Sequence, residues 1–150
     1  MSNLETRKAS FKEAVGSFIM LDSERDRMIK VMQDFVNWSA SLPNVFSLDE
    51  GEVDPSVVSF RHTASGLVAW SASPKRDAGA KLEIFGKARK AFPAGMWDAV
   101  HGKAEGISSE PMAANGSLRI PFAALKTPAR RQKAKELILE LVDGLAKKAS

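Results

Sequence analysis

Apolar positions recur at helical intervals in four parts of the chain and alternate with polar ones in several others. These two periods predict most of its elements. Leu4, Phe11, Val15 and Phe18 stand at roughly helical spacing, so residues 4–19 are expected to form a helix. After a break at Leu21 and Asp22, the residues Met28, Val31, Met32, Phe35, Trp38 and Leu42 form a second stripe. The expected helix runs over 23–41, with Ser23 as its cap, Asp26 three residues on, and a stop before Pro43. The segment 43–56, PNVFSLDEGEVDPS, carries turn residues and acids and is expected to be a loop.

Alternation then takes over. In VVSFRHT (57–63), Val58, Phe60 and His62 share one face and Ser59, Arg61 and Thr63 the other. Ala64, Ser65 and Gly66 make a turn into LVAWSAS (67–73), which is expected to carry Val68 and Trp70 on one face. A second turn region, 73–80, leads to AKLEIFG (80–86), with Leu82 and Ile84 inward and Lys81, Glu83 and Phe85 outward. After Phe92-Pro93, a short helix over 94–104 buries Trp97, Val100 and Ala104. Residues 105–116 are expected to be loop, with Asn115-Gly116 as a turn. SLRIPF (117–122) reads as a fourth strand, at an edge or ending at Pro121, because proline cannot donate to a ladder. Thr127 caps the last helix and Pro128 takes its first position. Ala134, Leu137, Ile138, Leu141 and Leu145 form that helix's apolar stripe. The whole reads as one α+β domain over 1–150: a small antiparallel sheet of about four strands covered by N-terminal and C-terminal helices.

Composition changes this picture little. A chain of 150 residues with 44% apolar and 27% charged content can bury a core without help from metals or disulfides. The absence of cysteine excludes structural disulfides, thiol catalysis and cysteine-ligated metal. No apolar run approaches a membrane span and the N-terminus lacks the apolar core of a signal peptide, so a cytoplasmic protein without a membrane partner is expected.

Charge changes it more. The net charge of +4 conceals strong segregation. Between Lys30 and Arg61 there are five acids, Asp34, Asp49, Glu50, Glu52 and Asp54, and no base. Between Glu110 and Glu136 there are six bases, Arg119, Lys126, Arg130, Arg131, Lys133 and Lys135, and no acid. Lys87, Arg89 and Lys90 form a further basic cluster. Cations in the first turns of a helix oppose its dipole, and a bound phosphate would offset that cost. Lys87, Arg89, Lys90, Arg119, Arg130, Arg131 and Lys133 are therefore the candidate nucleic-acid-binding residues, with Phe85 as a platform on which a base could stack. The alternative is a set of solvated faces.

Other chemistry finds less support. His62 shares a face with core residues. His101 and Glu105 stand four apart on the expected helix, but no third ligand is at hand, and neither a metal nor a cofactor is expected. Asp77, Glu83 and Lys87 follow the order of an Asp…Glu-x-Lys nuclease site, but Lys87 stands four positions after Glu83 rather than two. There is no glycine-rich phosphate loop and no nucleophile elbow. The leading expectation is a small intracellular binding protein that contacts nucleic acid or another polyanion, with no catalytic residues. A protein-interaction module, possibly self-associating through its acidic loop and basic helix, is the second reading. A metal-dependent nuclease is the third.

Overall fold

A computed structural model describes residues 3–18, 20–75, 79–86, 88–93, 95–108 and 118–149; for Lys75, Gly79, Arg89 and 146–149 it describes the backbone alone. Two helices, α1 (Asn3–Gly16) and α2 (Asp22–Ala40), come first. Five strands then form an antiparallel sheet in sequence order: β1 (Phe46–Leu48), β2 (Val58–His62), β3 (Val68–Lys75), β4 (Gly79–Ile84) and β5 (Leu118–Pro121). Helix α3 (Met96–Ser108) crosses from β4 to β5, and α4 (Pro128–Ala149) follows β5. The α+β class and the flanking helices agree with the sequence reading, but the sheet has a fifth strand.

That strand, β1, lies inside the segment expected to be loop. It pairs Phe46 with His62 and Leu48 with Phe60. Three residues offer only one cycle of alternation, and their strand character comes from the neighbour they pair with rather than from local propensity. Helix α2 begins one residue earlier than expected. Leu21 stands at its N-cap in an extended conformation with no side-chain cap, and its carbonyl accepts from the amides of Glu24 and Arg25. Ser23 is thus inside the helix. At α4 the expected cap holds: Thr127 Oγ1 accepts from the Arg130 amide at 3.3 Å, and Pro128 is the first helical residue. Helix α3 reaches Ser108, so residues 105–108 are helical rather than loop. The expected turn at Asn115-Gly116 lies outside the described residues.

The sheet buries one face. Val58, Phe60, Trp70, Ala72, Leu82, Ile84, Leu118 and Ile120 point under the helices and are nearly or fully buried. They meet Phe11, Val15, Val31, Met32, Phe35, Val100, Ala104, Ile138 and Leu141 in one continuous core. The opposite face carries Ser59, Arg61, Ser71, Lys81, Glu83 and Arg119. A register shift between Phe60 and Arg61 breaks the alternation across β2 and β3: Phe60 opposes Trp70, yet Arg61 opposes Val68. Val68 therefore shares the polar face with Arg61, not the core face with Trp70 as a strict period of two implies.

Trp70 sits at the centre of the packing, fully buried on the middle strand. Its ring stacks on Phe60 at 5.3 Å and 17° and meets Phe35 of α2 at 5.7 Å. Its indole N–H donates to Ser39 Oγ of α2 at 2.8 Å, in a site where both groups are shut off from water. Between α3 and α4 the contact is close at Gly144, where an added methyl group would overlap the Met96 thioether.

Ser39→Ala leaves the indole N–H buried without an acceptor. The expected loss is about 1–3 kcal/mol, read as a lower urea midpoint with an unchanged slope. An unchanged midpoint would show that α2 is not held to the sheet by this bond.

Candidate functional site

The residues flagged in the sequence fall on different surfaces. Lys87 lies outside the described residues, and so does the side chain of Arg89. Lys90 is exposed on a short 3-10 turn, Arg89–Ala91. Arg119 projects from β5 on the polar face of the sheet, where its register partner is Glu83, and its Nε donates to Glu83 Oε2 at 2.8 Å. Arg130, Arg131 and Lys133 stand on α4, whose buried residues belong to the core on the other side of the sheet. The basic segments thus do not share one face.

On α4 itself the cations divide again. Arg131 Nε donates to Asp34 Oδ2 at 2.6 Å and Lys135 Nζ to Asp34 Oδ1 at 2.8 Å. Arg131 also donates to the carbonyls of Leu125 and Lys126, and Lys135 lies 5.7 Å from the centre of the Phe35 ring. Both side chains are mostly covered, at 17% and 13% exposure, so they tie α4 to α2 and are not offered to a ligand. Burial pushes the Asp34 carboxyl up, but hydrogen bonds from Lys135 and Arg131, with their charges, outweigh that and hold it below the ordinary carboxylate value.

The other side of α4 is different. Lys126, Arg130 and Lys133 are exposed there. Arg130 Nη1 donates to the Ile107 carbonyl at 2.7 Å, which holds its guanidinium against the end of α3. A hollow of about 360 Å³ opens beside the start of α4, with Lys126, Thr127 and Arg130 in its wall and no acid among its described lining residues. It shares Lys126 with a hollow of about 130 Å³ that reaches Arg27 and Glu24 of α2. It shares Arg130 with one of about 490 Å³ that reaches Lys133, Lys103, Glu136 and Glu140. Lys103 donates to both carboxylate oxygens of Glu140 at 3.1 Å. The result is a stripe of cations, Arg27, Lys126, Arg130, Lys133 and Lys103, drawn from α2, α4 and α3. Sequence reasoning missed Arg27 and Lys103 as members. No local pattern marks them, because helix packing alone brings them to the rim.

The base-stacking role expected of Phe85 does not survive. Phe85 follows the end of β4 with φ 52°, in the left-handed region, and its ring is 2% exposed. It packs edge-on against Phe92 at 5.2 Å, and Phe92 in turn meets Trp97 at 5.5 Å. Among the described residues only Leu21 and Val53 are large apolar side chains with high exposure, so the stripe has no open aromatic platform.

The remaining candidates are accounted for by local contacts. His62 Nδ1 lies 2.7 Å from Ser65 Oγ in the β2–β3 turn, and burial lowers its pKa. His101 Nδ1 lies 2.9 Å from Glu105 Oε1 on α3, and the described residues contain no group of three side chains able to hold a metal ion. Of the nuclease-like trio, Asp77 and Lys87 lie outside the described residues and Glu83 is bonded to Arg119. No described helix is long and apolar enough to cross a membrane. No known family, curated protein or solved structure matches the chain.

The Asp34 clamp makes a pH prediction. A depressed folded pKa stabilises fully above the ordinary carboxylate value, and that contribution is lost as pH falls through the lowered folded value. At neutral pH, Asp34→Asn should cost on the order of 1–2 kcal/mol, discounted for the partial exposure of the carboxyl. In urea titrations the gap between parent and variant should close in acid. A gap constant down to the lowest pH at which both fold would remove Asp34 as a titrating clamp.

Proposed function

We propose that this protein binds a polyanion, nucleic acid foremost, through Lys126, Arg130 and Lys133 beside the start of α4. The observation that carries the reading is the hollow between Lys126 and Arg130, which has no acid among its described lining residues and lies midway along the cationic stripe. Neutralising phosphates with lysine and arginine releases counterions from the nucleic acid, and this supplies most of non-specific affinity. Backbone amides at a helix start add a field of the same sign. Lys126 and Lys133 have no ion-pair partner among the described residues, whereas Arg131, Lys135 and Arg119 are bonded to carboxylates. The contact is with phosphate rather than with base faces, since no open aromatic lies along the stripe. Of the seven residues marked by sequence, the reading keeps Arg130 and Lys133 at its centre, adds Lys126, and assigns Arg131 a structural role.

The test is fluorescence anisotropy with labelled single- and double-stranded DNA and RNA at several salt concentrations. The doubly reversed Lys126→Glu/Lys133→Glu protein should bind at least about tenfold more weakly, with a salt slope lower by about two, since each phosphate contact contributes about 0.9 for duplex DNA. Lys12→Glu, on exposed α1 surface, should change neither. Arg131→Glu is a poor probe, because it breaks the Asp34 clamp and confounds binding with stability. Absence of binding by the parent at low salt, or equal affinity in the double variant, overturns the reading.

A further inference from the structure

The polar face of the sheet carries a second hollow, of about 440 Å³, far enough round the fold that α4 contributes nothing to its wall. Its floor is the row Ser59, Ser71 and Glu83, register partners on β2, β3 and β4. Glu52 closes one side and Val68 and Phe85 supply apolar wall. The volume falls in the range of small-molecule sites.

Two features point to a ligand. Ser59 is 0% exposed, and its Oγ has no hydrogen-bond partner among the described residues. A buried hydroxyl left without a partner costs roughly 1–3 kcal/mol, and this one stands on the face that the hollow occupies. The second feature is the division of the Glu83 carboxylate. Arg119 binds Oε2, whereas Oε1 lies over Gly86, where a methyl group would come within 3.4 Å of it. Gly86 has φ 47°, a conformation that favours glycine, and the missing side chain leaves that oxygen uncovered.

We propose that this hollow binds a small organic monocation: a protonated amine or amidine with a short apolar part. Among the described residues its polar wall consists of hydroxyls and carboxylates, with no basic side chain. The nearby arginines are already engaged: Arg61 donates to Asp49 Oδ1 and the Gly66 carbonyl, and Arg119 to Glu83. Lys81 stands in the next register row, opposite Ser73, and does not line the hollow. An ammonium group brings up to three donors, enough for Glu83 Oε1, Glu52 and a serine hydroxyl, while its carbon chain lies on Val68. A bare divalent cation does not fit, since hard metals take six or more oxygen ligands and no cluster of three metal-binding side chains is present among the described residues.

The experiment is a titration of the ¹⁵N-labelled protein with n-butylammonium at neutral pH and constant ionic strength, followed in ¹H–¹⁵N spectra, with n-butanol as the uncharged control. Saturating shifts are expected at the amides of Ser59, Val68, Ser71, Glu83 and Gly86 with the amine and not with the alcohol. Glu52→Gln and Glu83→Gln should each weaken the binding at least about fivefold while the rest of the spectrum keeps its native dispersion. Glu52→Gln leaves the Arg119 bond intact and so stands as the cleaner variant. Equal shifts with butanol, shifts scattered over the surface, no shifts at all, or binding indifferent to both substitutions would overturn the proposal. None of these outcomes bears on the α4 stripe.

Discussion

Helices cover one face of this five-stranded sheet, and Trp70 fixes how that cover is laid. Its ring is the largest side chain in the core that is fully buried. A buried indole brings one donor that must be satisfied, and Ser39 of α2 supplies the acceptor at 2.8 Å. The bond and the Phe35 contact set the position of α2 on the sheet, and Asp34 is the residue before Phe35 in the same helix. Asp34 then takes Arg131 and Lys135 of α4. The orientation of α4, and with it the side on which Lys126, Arg130 and Lys133 face water, therefore follows from one indole on the middle strand.

The same chain of contacts explains the charge segregation of the sequence. An acidic stretch and a basic stretch that are far apart along the chain meet in space, at separations of 97 and 101 residues for the two Asp34 bonds. Asp49 does the same for Arg61 on the neighbouring strand. Its Oδ1 also accepts from the Gly51 amide at 3.0 Å, so the acid is satisfied although only 3% exposed. The loop that follows is held by Arg7 of α1, which donates to the carbonyls of Glu52, Asp54 and Val57. Blocks of like charge in sequence are thus partly the two halves of ion pairs that join elements. Only the cations outside this pairing bear on the proposed binding.

How far the sequence revealed this depends on the range of each interaction. The apolar stripes of α2 and α4, the Thr127 cap and the hairpin between β2 and β3 are set by residues within a few positions of each other, and they were legible. Strand β1 was not, because three residues become a strand only when β2 lies beside them. Val68 was misplaced because a one-residue register shift reverses the facing of everything beyond it. Phe85 was misplaced because its left-handed backbone ends the alternation one residue before a strict pattern would. The stripe was half legible. Lys126, Arg130 and Lys133 lie close together in sequence, whereas Arg27 and Lys103 join them only through helix packing. That Arg131 belongs to a clamp depends on Asp34, which no local window contains.

One-sided coverage also leaves the two surfaces of the fold with different chemistry. On the helical side, a surplus cation can remain solvated at a helix start, because the acid that would pair with it has gone to the seam between α2 and α4. On the open side of the sheet, neighbouring strands stand about 5 Å apart, so opposite charges in one register row find each other, as Glu83 and Arg119 do. Arg119 is engaged by its cross-strand partner, while a serine hydroxyl and one side of the Glu83 carboxylate are left over. The two proposed sites are therefore expected to select ligands of opposite charge.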